Sequence, residues 1–335
     1  MEERIYFDGA SNMTPFQAVL DYIQPLYTES IHNPSSLHKE GILASNMVDI
    51  ARLTIAKILG CDSSEIFFVS SASEAIAWVA KMRKLIPHPT SHHAMIESQK
   101  DCNPKLSDKY VLGISYYDNE TGMKNNLDEL PYDEIFLDLT ASIGKEKINL
   151  HKMKKVTYAC LSAHKFGGIL GAGLLYIRED VQQYMQPLIW GSQEKQYRGG
   201  TENVPAIMAM MKALEINDEN YIQYKEHILE MVDYLTDELN KFCTVYSSSN
   251  TLNITFKNLS AQSAVLIFDR MGVAVSAGSA CNSISVEPSK ILLYRGYSKD
   301  DALKTIRISL TIYNTLDECE KFIKIAKNII DNYDL

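Results

Sequence analysis

The chain has 335 residues, of which 46% are hydrophobic and 22% charged, enough apolar material for two domains of ordinary size. Its formal net charge is -9 and its pI about 5.4, so it lacks the basic excess that displaces counterions from phosphate, which argues against nucleic acid or an anionic membrane as the primary partner. No basic-then-apolar leader and no run of about eighteen apolar residues occurs, so a soluble cytoplasmic protein is expected. Six cysteines are scattered without CxxC spacing, which points away from a disulfide framework and from a metal site.

In chain order, the pattern from about Pro15 to Glu215 alternates helical stretches with short apolar strands, as in α/β domains on a mainly parallel sheet. "SNMVDIARLTIAKILG" carries apolar residues at helical spacing, "EIFFVS" reads as a buried strand and "SEAIAWVAKM" as a helix. The strands "YVLGISYY", "EIFLDL", "VTYACLS" and "GAGLLYI" follow. Beyond Glu215 comes one long amphipathic helix, "NYIQYKEHILEMVDYLTDELNKF", then the strands "TLNITF" and "TIRISL" and a closing helix "LDECEKFIKIAKNIID". The expected organisation is a large domain over 15–215 and a smaller α+β domain built from 1–14 and 216–335.

In "EIFFVSSASEAIAWV" a strand, a small-residue turn and a helix place Ser71, Ala72 and Ser73 at a helix start. Unpaired N–H groups there favour an anion such as a phosphate; the same residues also fit a plain N-cap with Glu74 in the first turn. Asp138 ends the strand of "EIFLDL", where ligands of open α/β sheets bind, although a strand-end Asp also serves as a cap. Lys165 sits in "LSAHKFGGILGAGLLYI", after an apolar strand and between His164 and two glycines, with Ser162 close by. An amine, a strand-end acid and an anion seat are the set that pyridoxal 5'-phosphate requires: a Schiff-base partner, an acid against the pyridine nitrogen and donors for the phosphate.

Further on, Cys281 lies in "GVAVSAGSACNSISVEPSKIL" among Ala, Gly, Ser and Asn, which points to a loop and a reactive thiol. Arg307, in "KTIRISL", stands in an otherwise apolar strand. Its guanidinium needs either a substrate carboxylate gripped at two points or an internal salt bridge. His93 and the remaining histidines show no ligand spacing, and Trp78 and Trp190 read as core or pocket-wall residues.

Taken together these motifs resemble the cysteine desulfurases, pyridoxal-phosphate enzymes of the class V aminotransferase fold. "IYFDGASNMTP" is similar to the family's opening Y-L-D-x-A-A-T-T-P, "NPSSLH" to N-P-S-S-x-H, "SSASEA" to S-G-x-T-E-x and "SHHAMIE" to E-H-x-A-V-L. "DNETG", "SAHKFGG", "RGGTENVPAI", "AVSAGSACNS" and "VEPSKIL" follow in family order. The resemblance implies a PLP-dependent transferase-like fold (fold type I). It also implies conversion of L-cysteine to L-alanine with a persulfide on Cys281, the sulfur passing to a protein acceptor or scaffold for iron-sulfur clusters, thiolated tRNA or cofactors.

Residue by residue, the resemblance implies that Lys165 holds the cofactor aldehyde, Asp138 pairs with the pyridine nitrogen, and His92 stacks on the ring and assists proton transfer. Ala72, Ser73, Ser162 and His164 would bind the phosphate, Asn119 would lie near the ring oxygen or the substrate, and Arg307 would clamp the substrate carboxylate. Thr201 would reach the phosphate of a neighbouring subunit, which makes a homodimer part of the expected site. Ala141 departs from the pattern, standing where the family has a glutamine against the ring oxygen. "ISLTIYNT" lacks the usual G-R after "SL", and the chain is short between Lys84 and His92, Ser98 and Tyr110, and Leu127 and Asp133. A selenocysteine lyase or another β-eliminating enzyme of the fold is the alternative activity, and a partner-binding relative with little activity is the alternative class.

Overall fold

The computed structural model describes residues 4–28, 32–101, 110–278 and 287–334. They gather into two compact units, one of Met1–Met13, Tyr117–Asn125 and Ile222–Leu335, the other of Thr14–Tyr116 and Asn126–Tyr221. Strand β1 (Ile5–Tyr6) belongs to the first unit. The chain then builds most of the second, beginning with α1 (Gln17–Thr28) and α2 (Lys39–Leu59). Helix α2 starts several residues before the apolar periodicity does, because the His38 ring accepts the Gly41 N–H as its cap. It stops at Gly60, whose φ of 63° is the left-handed conformation that turns its N–H back to the carbonyls of Ala56 and Lys57.

The sheet of this unit is assembled from β2 (Ile66–Val69), β3 (Lys84–Pro87), β4 (Tyr110–Ser115), β5 (Ile135–Asp138), β6 (Val156–Ser162) and β7 (Gly173–Ile177). Helix α3 (Ala72–Met82) lies between β2 and β3 in the chain, α4 (His93–Glu97) between β3 and β4, and α5 (Val204–Glu219) after β7. The strand order is β2-β7-β6-β5-β4-β3. Strands β3 to β6 run parallel, and β7 is antiparallel to both its neighbours. Every residue of β5 and β6 is buried, as expected for parallel strands covered on both faces. The register pairs Ser115 with Asp138 and Asp138 with Cys160, so β4 and β5 end side by side on Ser115 and Asp138, with Cys160 of β6 across from Asp138.

Trp78 is fully buried in α3, its indole N–H donating to the Gln186 carbonyl at 2.7 Å. Trp190, expected in the core or a pocket wall, is instead 79% exposed.

The first unit resumes within α6 (Tyr221–Leu239) and continues through β8 (Thr244–Ser248), β9 (Thr251–Thr255), α7 (Ala261–Arg270) and β10 (Val273–Ala274). Helices α8 (Lys290–Tyr294) and α9 (Lys299–Lys304), strand β11 (Thr305–Ser309) and helix α10 (Leu316–Tyr333) complete it. An antiparallel sheet of order β11-β9-β8 and a parallel pair β1-β10 are joined by single bridges, Asp8 to Ser309 and Ser276 to Arg307. Behind them Phe268 stacks on Phe322 at 5.3 Å and Phe7 tilts against the same ring. Each such burial is worth about 1.5–3 kcal/mol.

The segment Tyr117–Asn125, which the alternating pattern placed in the large domain, packs with this unit. Asp118 anchors it. Its carboxylate accepts from the N–H groups of Glu120 and Thr121 and pairs with Arg295 at 2.7 Å.

Candidate active site

Strand β5 delivers Asp138 to the carboxyl edge of the sheet, where it is only 6% exposed. Its Oδ1 accepts the Thr140 N–H at 2.9 Å and lies 3.8 Å from the Cys160 sulfur. Among the described residues no ion pair forms on this carboxylate, and nothing donates to its Oδ2. Burial, with the nearby carboxylate, pushes the Cys160 thiol well above its usual range, so this cysteine is inert packing.

The adjacent strand β6 runs directly into a single 3-10 turn, Ala163–Lys165. Two glycines allow close approaches around it. Gly167, just after the turn, has φ +86° and a Cβ there would run into the Phe16 ring, and a Cβ on Gly173, at the start of β7, would lie 2.6 Å from the Ser71 backbone. The turn presents His164 and Lys165, both half-buried. Burial, with Lys165 beside it, pulls the His164 imidazole down to about 4. His92, the cap of α4, accepts the Ala94 N–H on Nδ1 at 3.2 Å. Its pKa is lowered chiefly by burial and further by Lys165 and His93, against the pull of Asp138. Thus Lys165 acts electrostatically on both His92 and His164, and Asp138 on His92, and both imidazoles are neutral near pH 7.

The expected phosphate seat is more crowded. The Ala72 N–H is taken by the Ser162 hydroxyl at 2.7 Å, and the Ser71 hydroxyl caps α3 through the Glu74 N–H at 3.2 Å. Ser73 is exposed at the helix start. Glu74 holds the Ser70 N–H and hydroxyl and pairs with Arg198. Burial opposes its ionisation, but those bonds and the guanidinium outweigh it and keep the carboxyl below its usual range. Thr201 is exposed and lines a cavity of about 210 Å³ with Ser70, Arg198 and Glu202. Ala141 sits in the turn after β5 and offers no side-chain donor there.

In the other unit Arg307 is held by β11, and the guanidinium is engaged. Nη1 donates to the Asn119 carbonyl at 2.7 Å, and Nη2 to Asp8 Oδ1 at 2.7 Å and to Ser11 Oγ at 2.9 Å. Of the two readings left open for Arg307, the internal salt bridge is the one present, and Asn119 meets it through its backbone. No local signal pointed to Asp8 or Ser11, which pair with a residue 299 and 296 positions away. Cys281 lies outside the described residues.

A family model described as aminotransferase class-V matches residues 5–103 and 84–322, and the chain belongs to that family. Within it the chain is a cysteine desulfurase by similarity along its whole length. It is 30% identical to "Cysteine desulfurase IscS" of Dictyoglomus turgidum, covering 99% of this chain and 95% of that one. The protein of the same description from Methanosarcina thermophila is 27% identical over 97% of this chain and 92% of its own. A solved structure titled "NIFS-LIKE PROTEIN" superposes with a TM-score of 0.87 at 30% identity, covering 98% of this chain and all of that one. The fold expected from the sequence, a PLP-dependent transferase-like α/β architecture, is the one found.

Proposed function

We propose that the chain uses pyridoxal 5'-phosphate to convert L-cysteine to L-alanine, taking the sulfur onto Cys281. The observation that carries this is the Lys165 turn after β6: its charge acts on both His92 and His164, which burial also keeps neutral, and His92 in turn feels the buried strand-end carboxylate of Asp138. The residues fit the cofactor. Asp138 is an acceptor with an open oxygen where a pyridinium N–H would bind, and Ser73 with His164 would face its phosphate. When bound, the cofactor supplies an aldehyde for an amine and an electron sink that makes the substrate Cα–H acidic.

The protein's part is positioning and proton movement. Lys165 Nζ would hold the aldehyde before substrate arrives and then carry a proton between substrate carbons. His92, kept uncharged and with Nδ1 occupied by the Ala94 N–H, would stack on the ring and hold a proton on Nε2 for transfer. Arg307 would bind the substrate carboxylate. The Cys281 thiolate attacks the cysteine sulfur; the new S–S bond forms as the Cβ–S bond breaks, and the electron pair left on carbon is protonated to give alanine. The persulfide then passes to a protein acceptor. The same reading expects a homodimer, with Thr201 on the partner's phosphate.

Alanine formation from L-cysteine by the cofactor-loaded chain, with reductant present, tests this beside Cys281→Ala and Lys165→Ala. Alanine from the parent and from neither variant supports the reading. Cofactor binding without alanine refutes it.

A further inference from the structure

We propose that Asp8 is the resident counter-ion of Arg307 and sets how tightly a substrate carboxylate is held, because that carboxylate must displace it. The inference rests on Arg307 being the carboxylate anchor. A guanidinium offers five N–H donors in a planar fork. Three are engaged in Arg307, one from Nη1 to Asn119 and two from Nη2 to Asp8 and Ser11. The Nε–H is buried and has no partner among the described residues. Both edges of the fork that can grip a carboxylate at two points include Nη2, and both Nη2 protons are held. A two-point grip therefore requires Asp8 or Ser11 to give way.

Asp8 is the partner placed to do so. The Arg307 side chain is 3% exposed and that of Asp8 20%. The Arg307 backbone is pinned on both sides, its N–H to the Ser276 carbonyl at 2.6 Å and its carbonyl to the Ser276 N–H at 3.1 Å. Asp8 stands beyond the end of β1 with its flanking backbone bridged to Ser309, the Gly9 N–H to the Ser309 carbonyl at 3.0 Å and the Ser309 N–H to the Phe7 carbonyl at 2.8 Å. Its Oδ1 also accepts the Ser11 hydroxyl at 2.8 Å, so what yields is its more exposed carboxylate and not the strand. The exchange is of one carboxylate for another. The guanidinium stays neutralised throughout, while an uncharged group in the substrate's place would have to evict a charged one.

The test uses the cofactor-loaded chain, titrated with L-alanine and with L-alaninamide, which shares the amine but lacks the carboxylate, and followed by cofactor absorption. Asp8→Asn keeps the shape and an acceptor oxygen but removes the competing charge. Alanine should bind about tenfold tighter, with alaninamide within about twofold of the parent. Ser11→Ala, the second variant should Asp8→Asn fail to fold, should shift alanine in the same direction by less. Unchanged or weaker alanine binding, equal shifts for both ligands, or no alanine binding to any form overturns the proposal. Desulfuration is scored separately: a parent that binds alanine but makes none from cysteine removes the activity and leaves the Asp8 result standing.

Discussion

Replacing Asp138 with asparagine removes one charge and little else. The side chain is 6% exposed, and the Thr140 N–H it accepts at 2.9 Å can be kept by an amide oxygen. Near-ultraviolet circular dichroism and the melting temperature should therefore stay close to the parent. What is lost is a carboxylate opposite the pyridine nitrogen. A charge-assisted hydrogen bond contributes about 1.5–3 kcal/mol, which corresponds to roughly 10- to 150-fold weaker cofactor binding. Equilibrium dialysis of pyridoxal 5'-phosphate against the two folded proteins measures this directly. A dissociation constant within about twofold of the parent would show that Asp138 is only a turn residue holding Thr140.

Three further outcomes are expected. Glu194→Ala should destabilise the protein by about 3–5 kcal/mol in urea unfolding, because it strands the buried Arg52 guanidinium and frees the Phe68 N–H. The double change Arg52→Met with Glu194→Leu should recover most of that loss, and a single-variant loss below about 1 kcal/mol would contradict the account. His164 titrates near 4 in the fold against an ordinary 6.5, so protonation opposes folding. Stability from this group is intact above about pH 6.5 and falls as the pH drops toward 4, and His164→Gln should flatten that part of the urea midpoint profile. Arg307→Lys keeps the charge but loses the planar fork, and should raise the KM for L-cysteine about tenfold or more with a smaller effect on kcat; an unchanged KM would remove Arg307 from substrate binding.

How much of this was legible in the sequence depends on the range of the interaction. The parallel strands announced themselves as unbroken apolar runs. Asp138 and Lys165 could be placed at strand ends because a charge that closes such a run must sit where solvent, a counter-charge or a ligand can reach it. The start of α2 was missed because histidine is an unusual cap. The crowding at α3 was partly visible, since Ser71 reads equally as a cap or a donor, but the claim of Ser162 on the Ala72 N–H joins residues 90 positions apart. The occupant of the Arg307 fork was wholly invisible for the same reason. Trp190 misled because a large indole in a short apolar patch usually marks the interior.

The three-part construction of the first unit has a consequence for how the protein is made. On the ribosome β1 and Asp8 emerge well before their partners β10 and Arg307, which follow only after the second unit has been synthesised through Tyr221. The second unit can close first on the nascent chain, while the leading residues stay unengaged for most of translation. A change in β1 thus strikes a late step of maturation, and with it the counter-ion of a buried guanidinium.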